Sequence, residues 1–329
     1  MSEQLYPFKF KTIFKDKIWG GTKIKDVLHK DYSPLPNCGE TWELSGVEGN
    51  VSFVANGPLE GEPLTTLIAN YKDKLLGKKV YETYGGQFPL LIKFIDANED
   101  LSIQVHPDDK LAKERHNSFG KTEMWYIIQA DEDATLITGF NQEVDKESYL
   151  EHFNSGKLTD ILNKEKVAED DVFFIPAGRV HTIGKGIMLA EIQQSSDVTY
   201  RIYDFDRTDD KGNKRELHVE EAVDAIDYKF YDEYKSNKPI ELNKSSAIVE
   251  CPFFETNRMV IDSEMKKDYS SIDSFVILVF LEGETTITSG DFKMQAKLGD
   301  VVLIPAEMDE LILTPSGKSK VLETYIPNY

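Results

Sequence analysis

Short runs of strand length, some alternating apolar and polar residues with a period of two and some continuously apolar, predict a protein built mostly from strands. In Leu101-Ser-Ile-Gln-Val-His106, the apolar Leu101, Ile103 and Val105 alternate with Ser102, Gln104 and His106. Pro89-Leu-Leu-Ile-Lys-Phe-Ile95, just before it, reads as a buried strand. Glu123 opens a further run, Met124-Trp-Tyr-Ile-Ile128, and His181 closes Asp171-Val-Phe-Phe-Ile-Pro-Ala-Gly-Arg-Val-His181. Strands are predicted over 171–176 and 187–193, and short strands and turns over 5–60. Helical spacing is confined to three places. Leu64, Leu67, Ile68, Tyr71 and Leu75 predict a helix over 64–76 that stops at Gly77. Residues 142–166 predict a helical insertion broken near Gly156, and 218–226 a short helix. Residues 229–246 are polar without a period and read as a linker.

The strand pattern repeats. Asp171-Val-Phe-Phe-Ile-Pro-Ala177 matches Asp300-Val-Val-Leu-Ile-Pro-Ala306, and the run from Met124 matches the run from Val276. We therefore expect a mostly β fold of two similar jelly-roll barrels, residues 1–235 with the helical insertion and residues 236–329. In this overlay Glu123 falls on Phe275 and His181 on Glu310, so the second barrel is expected to hold no metal.

Polar residues on the central strands carry the candidate chemistry. Gln104 and His106 are two apart, so their side chains share a face. With Glu123 and His181 they make a mixed nitrogen and oxygen set suited to Zn²⁺, with Fe²⁺ or Mn²⁺ as weaker options. Gly178 allows the tight turn that aims His181 back inward. Lys121, two residues before Glu123, belongs near the same place. Downstream, Glu191, Gln193 and Ser195 alternate, as do Asp197, Thr199 and Arg201. Arg201 lies between Tyr200 and Ile202, and an arginine in an apolar setting calls for an anionic partner. Arg115-His-Asn-Ser-Phe-Gly-Lys-Thr122 ends like a phosphate-binding loop but has Arg115 where the first glycine belongs, so nucleotide binding is not expected.

Charge narrows the partners. A formal net charge of −20 argues against nucleic acid and anionic membranes. A phosphorylated metabolite would need a local basic cluster, and Lys121, Arg201 and Arg207 are the candidates. Cys38 and Cys251 are far apart and read as reduced thiols. The amino terminus, Met1-Ser-Glu-Gln-Leu-Tyr-Pro7, lacks the pattern of a signal peptide, no apolar run is long enough for a membrane span, and a cytoplasmic location is expected.

The strand followed by Pro176-Ala-Gly-Arg-Val-His181 is similar to the second half of the cupin signature. With Ile18-Trp-Gly-Gly21, Gly39-Glu-Thr-Trp-Glu-Leu-Ser45, Leu101-Ser-Ile-Gln-Val-His-Pro-Asp108, Gly120-Lys-Thr-Glu-Met-Trp125 and Ser196-Asp-Val-Thr-Tyr-Arg201, the chain resembles type I mannose-6-phosphate isomerases in their short bacterial form. The resemblance implies Zn²⁺, one per chain, held by Gln104, His106, Glu123 and His181. It implies Arg201 as a catalytic residue, with Ser102, Lys121, Glu191 and Asp197 lining the site. The implied reaction is mannose 6-phosphate ⇌ fructose 6-phosphate through an enediolate. Glu191, Lys121 or a metal-bound water stand as alternatives for the base, and Arg207 joins Ser102, Lys121 and Asp197 as a candidate substrate contact. Rival readings are a cupin oxygenase using Fe²⁺, a sugar isomerase of other specificity, and a non-enzymatic sugar-binding bicupin. No obligate protein partner is inferred.

Overall fold

Alternating residues become strands because a pleated backbone sends successive side chains to opposite faces. The structure, a computed structural model, describes residues 5–208 and 212–328; residues 1–4 of the amino-terminal stretch read above lie outside these. The first unit contains β1 (Phe8–Lys9), β2 (Ile13–Lys15), β3 (Glu40–Leu44), β4 (Leu90–Ala97), β5 (Ile103–Val105), β6 (Glu123–Ala130), β7 (Thr135–Phe140), β8 (Leu162–Lys166), β9 (Val172–Ile175), β10 (His181–Thr182), β11 (Ile187–Gln194) and β12 (Tyr200–Tyr203). The second contains β13 (Ser245–Glu250), β14 (Glu255–Ile261), β15 (Met265–Asp268), β16 (Val276–Glu282), β17 (Glu284–Ser289), β18 (Phe292–Lys297), β19 (Val301–Ile304), β20 (Glu310–Pro315) and β21 (Ser319–Tyr325).

These strands form four sheets. In the first unit a sheet of order β2-β3-β4-β11-β6-β9 faces one of order β12-β5-β10-β7-β8, with Trp125, Ile127, Leu136 and Leu189 in the core between them. In the second unit β1-β19-β16-β21-β14-β13 faces β15-β20-β17-β18 over Leu278, Phe280, Ile287 and Leu313. Each unit is thus a pair of facing sheets, and no sheet among the described residues closes into the barrel expected from the sequence. The chain passes between facing sheets through loops, so the hydrogen-bond ladder does not continue round. The two six-stranded sheets pack back to back. Ile92, Phe94, Met124 and Tyr126 meet Ile277, Val279 and Leu322 there.

The units are interlocked. Against the expected boundary at 235/236, β1 at the start of the chain pairs with β19 of the second unit, Phe8 opposite Leu303. The helix expected over 64–76 is two short helices, Leu64–Tyr71 and Asp73–Leu76, which stop at Gly77 as expected, and a third, Lys78–Tyr84, follows. Lys72 takes a positive φ of 49°, which interrupts the expected helix once, and Gly77, with φ 91°, ends it. Gly77 is required on two counts, since a Cβ there would also lie 2.3 Å from the Asp273 carbonyl oxygen. The Asp273 carboxylate accepts from the Lys78 and Lys79 backbone N–H groups at 2.6 and 3.0 Å, tying this segment to the second unit.

Within 142–166 the helix Lys146–Asn154 and the turn Leu158–Ile161 are present, but residues 162–166 are β8, because pairing with the edge of β7 overrides the helical period. The segment over 229–246 is pinned. Arg179 stacks on Tyr231 and Tyr234 at 4.4 and 4.9 Å, and Lys235 reaches Asp171 at 2.8 Å.

The register of the repeat also differs from expectation. Glu123 pairs with Ile175, and the matching Ile304 pairs with Val276, so the residue in the place of Glu123 is Val276 and not Phe275. A one-residue slip turns a side chain to the other face. Phe275 accordingly packs outside the second sandwich, in the core between the units, its ring 4.8 Å from Phe88. Glu310, the residue overlaid on His181, is exposed. Phe275→Ala should therefore act through stability, costing about 3–5 kcal/mol in urea unfolding. A loss below about 1 kcal/mol would contradict this placement.

Candidate metal centre and cavity

Three elements deliver the metal-ligand candidates to one point. Glu123 is the first residue of β6 and His181 the first of β10, while His106 directly follows β5. β5 lies beside β10, with Gln104 opposite His181. His106 Nε2 is 3.2 Å from Glu123 Oε1, and His181 Nε2 is 3.9 Å from Glu123 Oε2. Ligand atoms of His106, Glu123 and His181 all lie within 4.8 Å of one another. Gln104 Nε2 is 3.3 Å from His181 Nε2, which puts the amide head at the same point.

The protonation pattern suits a cation. His106 Nδ1 is 3.0 Å from the Val198 carbonyl oxygen, and His181 Nδ1 is 2.8 Å from that of Arg179. A carbonyl only accepts, so each Nδ1 carries the proton and each Nε2 lone pair points inward. Burial pushes the His106 imidazole down to about 3, with Lys121 adding to the effect, and burial lowers His181 too. Both rings are therefore neutral and able to ligate near neutral pH. Burial works against an ionised Glu123, yet its carboxyl is held well below the ordinary value, with Lys121 the foremost opposing influence. His106 Nε2 and both Glu123 carboxylate oxygens are buried without a hydrogen-bond partner. Orphaned acceptors of this kind are costly to bury, and their convergence fits a divalent metal.

Beside this cluster lies a cavity of about 480 Å³ between the facing sheets, lined in part by Ser102, Lys121, Glu191, Asp197 and Arg201. Lys121 Nζ is buried 3.4 Å from Glu123 Oε1. Glu191 is held at both oxygens, by Lys93 Nζ at 2.9 Å and Trp125 Nε1 at 2.9 Å. Asp197 is exposed at the rim. Arg201 does not end one long alternating strand. The chain leaves β11 after Gln194 and re-enters the opposite sheet as β12, where Arg201 pairs with Gln104. Its Nη1 donates to the Glu216 carbonyl at 2.9 Å, while its Nε is buried without a partner.

Arg207 does not line the cavity; it binds Asp204 and the Asp100 carbonyl. Arg215 lines it instead, gripped by the same Asp204. Sequence reading also passed over Lys15, Lys17 and Lys93, which line the opposite wall. Lys93 had a signal, as the single charge within the apolar run over 89–95. Lys15, Lys17 and Arg215 lie in ordinary polar surroundings and had none. Six cations thus face the cavity, Lys15, Lys17, Lys93, Lys121, Arg201 and Arg215. Four carboxylates oppose them, Glu40, Glu123, Glu191 and Asp197, leaving an excess of two positive charges in a chain of net charge −20.

The second unit keeps the scaffold and fills the space. Glu323 lies between Asn257 and Leu278 in register, as Glu191 lies between Lys93 and Trp125. Its carboxylate is fully engaged by Tyr269, Lys267, Asn257 and Ser245.

Comparison with known proteins agrees with this geometry. Residues 7–143 match the family model for the catalytic domain of type I phosphomannose isomerase. Mannose-6-phosphate isomerase ManA of Bacillus subtilis is 36% identical over 310 residues, covering 93% of this chain and 95% of that protein. The crystal structure of a mannose 6-phosphate isomerase from Bacillus subtilis superposes with a TM-score of 0.85 at 33% identity, covering 97% of this chain and 99% of the other. A zinc-bound mannose 6-phosphate isomerase, 15% identical, shares the fold with a TM-score of 0.79 over 98% of this chain and 100% of its own. With identity of this extent along nearly its whole length, and with the ligand cluster and cavity in place, the chain belongs to the type I mannose-6-phosphate isomerase family.

Proposed function

We propose that this protein interconverts mannose 6-phosphate and fructose 6-phosphate through an enediolate, with one Zn²⁺ as its resident metal. The observation that carries the reading is the set of buried, unpartnered acceptors, His106 Nε2 and the Glu123 oxygens, next to a cavity with excess positive charge. Gln104, His106, Glu123 and His181 would hold the ion. When bound, Zn²⁺ supplies a Lewis acid that polarises the sugar carbonyl and eases charge build-up on its oxygen.

The remaining work falls to the chain. Moving a proton between C1 and C2 needs a group that faces the reacting carbons. Glu191 is bound at both oxygens by Lys93 and Trp125, which suits it to shaping the wall. Lys121, buried beside Glu123, is taken as the proton carrier in this reading, ahead of a metal-bound water. Arg201 is the strand neighbour of Gln104, and its unpartnered Nε offers a donor to negative charge appearing on the substrate. Ser102 and Asp197 line the path of the sugar hydroxyls. The buried location of the ligands keeps bulk water from the reacting end.

Purified protein should contain about one Zn²⁺ per chain, and a chelator should remove activity that Zn²⁺ restores. His106→Ala and His181→Ala should each lose the metal, measured by elemental analysis on protein whose circular dichroism is unchanged. Full occupancy in both variants would sink the ligand assignment.

A second expectation concerns Arg201. Next to the metal ligands it should meet charge that develops during reaction, so Arg201→Ala should lower kcat by roughly 10²–10³-fold with KM changed far less. Zinc should remain bound, and Arg201→Lys should rescue only in part, because lysine lacks the planar fork. An unchanged kcat with a raised KM would make Arg201 a ground-state anchor instead.

A further inference from the structure

The cavity wall formed by β2, β3 and β4 carries three lysines, and their pairing is uneven. Lys17 Nζ is 3.3 Å from Glu40 Oε1, and Lys93 Nζ is 2.9 Å from Glu191 Oε1. Lys121, on the metal side, has Glu123. Lys15 differs from all of these. Its ammonium donates to the Asn50 side-chain oxygen and rests 5.1 Å from the centre of the Trp42 ring, with no carboxylate partner among the described residues. An amide and an aromatic face hold a cation in place without cancelling its charge.

Position along the cavity gives this free charge a meaning. Trp42, Lys93, Glu191 and Trp125 are consecutive partners across β3, β4, β11 and β6. The row starts at the metal ligands, where the Trp125 ring is 5.3 Å from the His181 ring. It continues through Glu191 and Lys93, whose Nζ is 5.4 Å from the Trp42 ring centre, and ends at Lys15. From β6 to β3 is three strand spacings, roughly 14 Å. A lysine reaching inward over Trp42 and a six-carbon sugar can close that span between them. The other unbalanced cation, Arg201, is adjacent to Gln104 and so stands at the metal end. Arg215 is already gripped by Asp204 through two nitrogens.

We propose that Lys15, steadied by Asn50 and Trp42, binds the phosphate of the substrate at the end of the cavity away from the metal ligands. This rests on the isomerase reading above, and it assigns the terminal phosphate to the β2–β3 wall and the carbonyl end to β5, β6 and β10.

The test uses the zinc-loaded enzyme and two independent readouts. Lys15→Gln removes the charge and keeps a polar side chain one atom shorter. It should raise KM for mannose 6-phosphate by roughly tenfold or more, the scale of a lost hydrogen bond to a charged group, with kcat changed far less. Inorganic phosphate, titrated calorimetrically against the wild type and the variant, should weaken in parallel, and Lys15→Arg should restore part of both. Unchanged KM and unchanged phosphate affinity in Lys15→Gln would overturn the assignment, as would a fall in kcat at constant KM. If Arg215→Gln produces the KM effect instead, the phosphate lies on the opposite wall and the proposal is wrong. A wild type that binds phosphate through Lys15 yet isomerises no hexose 6-phosphate would refute the isomerase reading while leaving the anion site standing.

Discussion

A carboxylate buried between two neutral imidazoles is an arrangement that folding by itself does not favour. Glu123 and His106 are each about 1% exposed, and their inward atoms have no protein hydrogen-bond partner. Desolvating such groups costs several kcal/mol unless a cation or donor compensates. Much of the first unit can be understood as the scaffold that holds these atoms together. Two facing sheets contribute ligands from opposite sides, and the Val198 and Arg179 carbonyls fix the orientation of the two rings.

The loop after β11 links this constraint to the rest of the cavity. The chain leaves one sheet at Gln194 and enters the other at Tyr200. Between them, Val198 orients His106, Asp197 stands at the rim, and Gln193 Nε2 braces the turn by donating to the Gln194 and Ser196 carbonyls at 2.7 Å each. The same Gln193 accepts from Lys93 at 2.6 Å. One buried network therefore joins the ring orientation of a metal-ligand candidate to the far wall, where Lys15 lies. Such networks are satisfied only in one arrangement, which favours a preformed site.

The two units use one strand plan for different ends. In the first, polar residues on the inner face of β4 and β11 border an open cavity. In the second, the equivalent Glu323 is surrounded by four donors that consume its hydrogen-bonding capacity. Apolar residues occupy the rest, with Val276 where the first unit has Glu123. Back-to-back packing of the six-stranded sheets, with β1 joining the second unit's sheet, sets the second unit behind the strands that carry the site.

Sequence alone determined the strand content, the repeat and the identity of the metal-ligand candidates, because these follow from local periodicity and from residue types that few other roles combine. Gln104, His106, Glu123 and His181 were legible for that reason, and Arg201 because an arginine between Tyr200 and Ile202 is unusual. Tertiary structure decided what depends on register and on strands distant in the chain. A shift of one residue moved Phe275 to the outer face and put Val276 inside, and no local pattern distinguishes the two. Residues 162–166 became strand through pairing with β7, and the helix over 64–76 was divided at Lys72, whose φ is positive. Arg207 turned away to hold Asp204, while Arg215, Lys17 and Lys15 turned toward the cavity. The direction such a cation faces is set by where its strand or loop is placed against distant parts of the chain, and that is a property of the assembled fold.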